Sequence, residues 1–192
     1  MARIAIVVGH ARRNTYCEAL GMAYLKGAES GGHEARLFVL SHMKFDPILH
    51  EGFSREQPLE PDLKAAAGAI KAADHLVLIF PLWLGTLPAV LKGFLERLLT
   101  PGFAIEKTDG LMGFRPLMKG KSARVVMTMG MPGFVYRWYF CAHALKALKR
   151  NVLGFVGFAP VRTTLFGRIE AVSDEKRRQW LMEVEALGCQ AR

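Results

Sequence analysis

The chain has 192 residues, 51% of them apolar, and a formal net charge of +9 from 26 Lys and Arg against 17 Asp and Glu. That apolar content allows a sizeable core in a single domain over 1–192, and no apolar run is long enough to cross a bilayer without a charge or proline, which argues against membrane insertion. The cations are scattered apart from small groups such as Arg12-Arg13 and Lys176 to Arg178, with no helix-turn-helix, zinc-finger or RNP-like pattern, so no nucleic-acid partner is expected.

Residues 3–8, RIAIVV, read as a first strand rich in β-branched side chains rather than as a signal peptide. A polar loop, Gly9 to Thr15, leads into a helix over about 15–30, with Asn14 or Thr15 as its N-cap and Glu18 near the end of the first turn. Ser30-Gly31-Gly32 ends that helix. A second strand is expected over Glu34 to Leu40, an irregular stretch over 41–60, and an alanine-rich helix over Asp62 to Ala73. Next comes the stretch LVLIFPLWLGTLPAVLKGFLERLL, Leu76 to Leu99. The unbroken apolar run to Phe80 suits a strand buried on both faces. Pro81 ends it, Leu82 to Leu87 make a loop, and Pro88 suits the first turn of a helix over Ala89 to Leu99. A long loop over 100–121 precedes a fourth strand, Ala123 to Met129, and a turn at Gly130-Met131-Pro132-Gly133. A helix from Tyr136 to about Phe155, a fifth strand from Pro160 to Phe166 and a terminal helix from Ser173 to Leu187 complete the chain. Strands alternating with helices imply an α/β fold with a parallel sheet covered on both faces.

The loops 9–15, 81–86 and 128–133 should open at one edge of that sheet, where open α/β sheets bind ligands. The first offers helix N-terminal amides for an anion such as a phosphate, with His10, Arg12, Asn14 and Thr15 as further donors. The second offers Trp83 either as an aromatic lip for a flat ligand or as a core aromatic; the third is a glycine-containing turn with free amides. G-x-G-x-x-G and G-x-x-x-x-G-K-[ST] are both absent, which argues against a Rossmann dinucleotide site and a Walker site. Cys17, Cys141 and Cys189 are odd in number and far apart, so no disulfide framework is expected and a reducing cytoplasm is. His33, His42, His50 and His75 lack metal-ligand spacing, and no metal is expected.

GHARRNTYCEAL at 9–20, FPLWLGTLPAVLKGFLERLLTPGFA at 80–104, MTMGMP at 127–132 and the later LKRNVLGFVGFAPVRTTLFG resemble the flavodoxin-like NAD(P)H:quinone oxidoreductase family over nearly the whole chain. The resemblance implies a flavodoxin-like three-layer sandwich with a five-stranded parallel sheet of order 2-1-3-4-5 and a non-covalent FMN or FAD. By position, His10, Asn14, Thr15, Tyr16 and Cys17 would seat the flavin phosphate. Pro81, Leu82, Trp83, Leu84 and Gly85 would line the isoalloxazine, and Thr128, Met129 and Gly130 would flank its other side. Met129 departs from the Thr-Thr-Gly form of relatives. Tyr136 and His143 match the catalytic Tyr and His of quinone-reductase relatives, at a spacing that is not a clean match.

The activity so implied is two-electron, ping-pong hydride transfer from NAD(P)H through the flavin to a quinone or similar acceptor, in a homodimer. The dense aromatics Tyr136, Trp138, Tyr139 and Phe140 either wall the substrate site or pack against the second copy. Two alternatives stand beside this reading: a flavodoxin-type electron carrier, which the net charge of +9 disfavours because such carriers tend to be acidic, and a regulatory oxidoreductase subunit of a membrane transport system.

Overall fold

The computed structural model describes residues 1–109 and 113–191. Five strands, β1 (Arg3–Val8), β2 (Glu34–Val39), β3 (His75–Pro81), β6 (Ser122–Thr128) and β7 (Val161–Phe166), form one sheet in the order β2-β1-β3-β6-β7. Every neighbouring pair in it is parallel. Counted among the central strands alone, this is the expected order 2-1-3-4-5. The remaining strands, β4 (Ile105–Lys107) and β5 (Phe114–Pro116), pair antiparallel as a separate ribbon. The 100–121 stretch is therefore not irregular throughout, although residues 110–112 of that expected loop lie outside the described residues.

The sheet sorts the core by strand alternation. Ile4, Ile6 and Val8 of β1 and Val77 and Ile79 of β3 face α1 (Tyr16–Ser30) and α6 (Asp174–Cys189). Ala5, Val7, Leu76, Leu78 and Phe80 face the opposite layer, built from α2 (Pro61–Ala72), α3 (Ala89–Leu98), α4 (Gly133–Trp138) and α5 (His143–Ala147). All seven residues of β3 are buried, as its unbroken apolar run requires of a strand covered on both sides.

Where α1 and α6 cross, small residues set the separation. A Cβ at Gly27 would stand 1.9 Å from the Glu185 carbonyl oxygen, and one at Gly188 would stand 2.2 Å from that of Tyr24. The two backbones meet with no side chain between them, and Trp180, Leu181, Val184 and Leu187 of α6 complete the apolar seam.

Two expectations need correction. Pro88 is the N-cap of α3, with extended backbone, rather than part of its first turn. The carbonyl of Pro88 accepts from both Leu91 and Lys92, so the residue that carries the first acceptor lies one step outside the helix. The helix expected over Tyr136 to Phe155 is broken into three. Tyr139 to Ala142 turn a corner with Cys141 and Ala142 in the left-handed region, at φ 51° and 49°. α5 then runs into a π-helical segment, Leu148–Gly154. The 41–60 stretch lies over α3, where the fully buried guanidinium of Arg97 bonds the Glu60 carboxylate at 2.9 Å and the carbonyls of Asp46 and Pro58.

Candidate functional site

The loop after β1 is held by its own side chains and by the helix it enters. Thr15 caps α1, its hydroxyl accepting the Glu18 N–H at 3.3 Å. Glu18 reaches back to accept the Asn14 N–H at 2.9 Å, with Asn14 in the left-handed region at φ 55°. The first-turn N–H groups of Tyr16 and Cys17 have no intrahelical acceptor, as at any helix start, and with the helix dipole they favour an anion there. His10 Nδ1 accepts the Arg12 N–H at 2.9 Å. Burial, and then the Arg12 charge, hold His10 below the ordinary histidine range, which favours the neutral ring.

The loop after β3 folds into a two-residue turn. Trp83 and Thr86 exchange backbone hydrogen bonds at 2.9 Å each way, and Leu84 and Gly85 both take positive φ, 47° and 78°. That pair of angles is the type I′ pattern. It explains why glycine follows Leu84, whose own side chain is fully exposed. Trp83 is 43% exposed, and its ring meets the His10 ring edge-on at a centroid distance of 4.9 Å. Trp83 is thus a lip between two loops and not a core aromatic.

The loop after β6 joins both. The Leu82 N–H donates to the Thr128 carbonyl at 2.7 Å, and Thr128 Oγ1 lies 3.4 Å from Cys17 Sγ. The three expected loops therefore converge at the carboxyl edge of β1, β3 and β6. Within them the expected residues differ in what they present. Tyr16 leans away, its hydroxyl donating to the Arg177 carbonyl at 2.7 Å, and burial pushes its phenol up to about 12. Cys17 is buried, and desolvation pushes its thiol up to about 11. Both would meet a ligand through backbone N–H groups. Met129 is buried, while Gly130 beside it is exposed. Pro81 ends β3 inside the core, and Leu82 is half-buried.

Tyr136 is buried, and its hydroxyl accepts the Leu145 N–H at 3.1 Å across the corner between α4 and α5. Burial raises its pKa, with that N–H opposing. His143, the first residue of α5, is exposed. The corner places Trp138 (83% exposed), Tyr139 (80% exposed), Phe134 and Phe140 on the surface. Beside it, α3 and the π-helical segment enclose a groove of about 310 Å³ lined in part by Leu95, Leu99, Leu148, Val152 and Phe155. Sequence reasoning missed one electrostatic signal. No acidic side chain stands between Asp109 and Glu170, whereas Arg137, Lys146, Lys149 and Arg150 do. Among the described residues no cluster of His, Cys, Asp and Glu fits a metal ion, and no helix is long and apolar enough to cross a membrane.

A family model described as flavodoxin-like fold matches residues 2–187. The chain is 32% identical over 158 residues to an uncharacterized NAD(P)H oxidoreductase of Haemophilus influenzae, covering 80% of this chain and 76% of that protein. The solved NAD(P)H:quinone oxidoreductase of Methanothermobacter marburgensis superposes with a TM-score of 0.81 at 25% identity, covering 98% of this chain and 96% of that one. An FMN-dependent NADH:quinone oxidoreductase of Nitratidesulfovibrio vulgaris is 28% identical over 119 residues, 56% of this chain; the match spans about half of that relative, 54%. The chain therefore belongs to the flavodoxin-like NAD(P)H:quinone oxidoreductase family and is an oxidoreductase enzyme.

Proposed function

We propose that the three-loop cleft holds a non-covalent flavin and that the enzyme passes two electrons from NAD(P)H to a quinone or similar small acceptor in ping-pong order. The observation that carries this reading is the juxtaposition of an open helix N-terminus, at Thr15 to Cys17, with an exposed indole braced on His10. One end fits a phosphate and the other a flat heteroaromatic ring. The similarity to an FMN-dependent relative favours FMN over FAD. Bound there, the flavin supplies the redox chemistry itself, accepting hydride from NAD(P)H and returning two electrons to the acceptor.

The residues have distinct tasks in this reading. His10, Asn14, Thr15 and the N–H groups of Tyr16 and Cys17 hold the phosphate. Pro81 to Gly85 cover one side of the ring, and Thr128, Met129 and Gly130 close the other. Backbone amides of these loops meet negative charge on the ring without reorganising. In this reading His143, exposed at the start of α5, moves a proton, and Tyr136 keeps the corner carrying it in shape. The exposed Arg137, on the helix that follows the third loop, favours an anionic donor such as NAD(P)H.

We also assign the exposed aromatics of the corner and the α3 groove to contact with a second copy, as a homodimer. Initial rates with NADPH and menadione varied together test the reaction order. Parallel double-reciprocal lines are expected, and intersecting lines contradict the ping-pong scheme. Sedimentation equilibrium reads the dimer directly.

A further inference from the structure

The start of α1 carries a carboxylate beside the N–H groups expected to take the cofactor phosphate. Glu18 Oε2 accepts the Asn14 N–H at 2.9 Å, and the Glu18 N–H donates to Thr15 Oγ1 at 3.3 Å. The other carboxylate oxygen, Oε1, lies 3.4 Å from His42 Nε2 on the loop after β2. The Glu18 side chain is 18% exposed. Arg13 fastens the same two loops together, its Nε donating to the Ser41 carbonyl at 3.3 Å.

A reciprocal cap of this kind ordinarily bonds the N–H of the capping residue itself. Here it bonds the residue before, Asn14, which has left-handed backbone. Asparagine tolerates that positive φ better than most residues, and the bond from its N–H to Glu18 fixes it here. By taking the Asn14 N–H, Glu18 fixes the turn that brings Thr15, Tyr16 and Cys17 to the helix start. The N–H groups of Tyr16 and Cys17 are then left for a ligand. A carboxylate in the first turn also competes with an anionic ligand for the same dipole field. Helix capping alone would be served as well by an uncharged acceptor.

We propose that Glu18 is a positioning residue for the cofactor phosphate: it acts through the Asn14 N–H to hold the 9–15 loop in its anion-accepting shape, with His42 beside it. This inference rests on the reading of that loop as the flavin phosphate seat. Its parts are separable. The acceptor oxygen shapes the loop, and the charge of Glu18 opposes the phosphate.

Titrating the apoprotein with FMN and with riboflavin, which lacks the phosphate, tests it by fluorescence quenching. Glu18→Ala is expected to weaken FMN by about fivefold and to leave riboflavin within about twofold of wild type. Glu18→Gln keeps an acceptor without the charge and is expected to bind FMN as tightly as wild type or more tightly. The inference is overturned if Glu18→Ala weakens both ligands alike, which marks general loss of structure, or if it leaves FMN binding unchanged. A Gln variant as weak as the Ala variant overturns it too, since the acceptor oxygen is then not what matters. A wild-type chain that binds riboflavin and FMN equally overturns the phosphate seat but not the flavin site. One that binds neither overturns the flavin reading and this inference with it.

Discussion

The two layers on either side of the sheet follow opposite designs. One side carries two uninterrupted helices, α1 and α6, whose backbones touch at Gly27 and Gly188. The other carries the 133–154 stretch, where two consecutive left-handed residues and a π-helical segment break a single helix into three. Regular helices bury apolar stripes efficiently. The broken stretch instead leaves Phe134, Trp138, Tyr139 and His143 at the surface. Departures from local regularity persist where surrounding structure compensates them, and they gather at sites that bind or react. The contrast separates the tightest helix packing, on the α1–α6 side, from the exposed aromatic corner on the other, and the three-loop cleft opens at the carboxyl edge of the sheet between them.

The contrast is broken most severely by filling the α1–α6 crossing. Gly27→Val puts side-chain atoms where the Glu185 carbonyl now sits, and a loss of about 3 kcal/mol is expected in urea unfolding. A Gly27→Val protein as stable as wild type means that the helices do not meet as described.

Acid should expose the same side. His75, buried at the start of β3 beside Tyr24, is held down to about 4 by burial and then by the charges of Arg124 and Arg162. Above an unfolded value of about 6.5 the ring is neutral in both states and contributes no pH dependence. As pH falls from there toward 4, the unfolded chain takes up a proton that the folded chain refuses. Stability is then lost, on the order of 3 kcal/mol by pH 4. Unfolding free energies measured at pH 7 and pH 4.5 for wild type and His75→Gln should diverge by the smaller dependence of the variant.

Substitutions at the rim of the cleft should spare stability. Trp83→Ala removes a half-exposed ring and should weaken flavin binding by roughly tenfold with little change in melting temperature. A large drop in melting temperature would return Trp83 to the core. The smallest expected effect is at the corner. Cys141→Gly relieves a left-handed strain of about 1 kcal/mol at an exposed position, less the entropy that glycine adds, for a net gain of about 0.5 kcal/mol in thermal unfolding.

Much of the scaffold was legible in the sequence because its signals are local. The apolar run 76–80, closed by Pro81, suits a doubly covered strand. Thr15 and Ser173 cap their helices through hydroxyls that accept from Glu18 and Lys176. The three converging loops followed from strand order alone. The broken helix was not legible, because RWYFCAHALKALKRN carries no proline or glycine to mark the corner. That corner is closed by tertiary bonds, Ala142 N–H to the Tyr136 carbonyl and Leu145 N–H to the Tyr136 hydroxyl. The orientations of Tyr16 and Cys17 were hidden for a similar reason. Both look like ligand-facing loop residues in the sequence, but the partners that draw them inward, Arg177 and Thr128, lie far along the chain. Glu18 was visible as a first-turn acid, and only the left-handed Asn14 explains what it holds.

The central claim is that the three-loop cleft binds a flavin that cycles between NAD(P)H and a quinone. The measurement that tests it most directly is the visible spectrum of the purified protein after incubation with FMN or FAD and removal of the unbound excess. The spectrum is then followed anaerobically through addition of NADPH and afterwards menadione. The account predicts retained flavin absorption that bleaches with NADPH and returns with the quinone. A protein that retains neither flavin, or one whose flavin is untouched by NADPH and NADH, contradicts it.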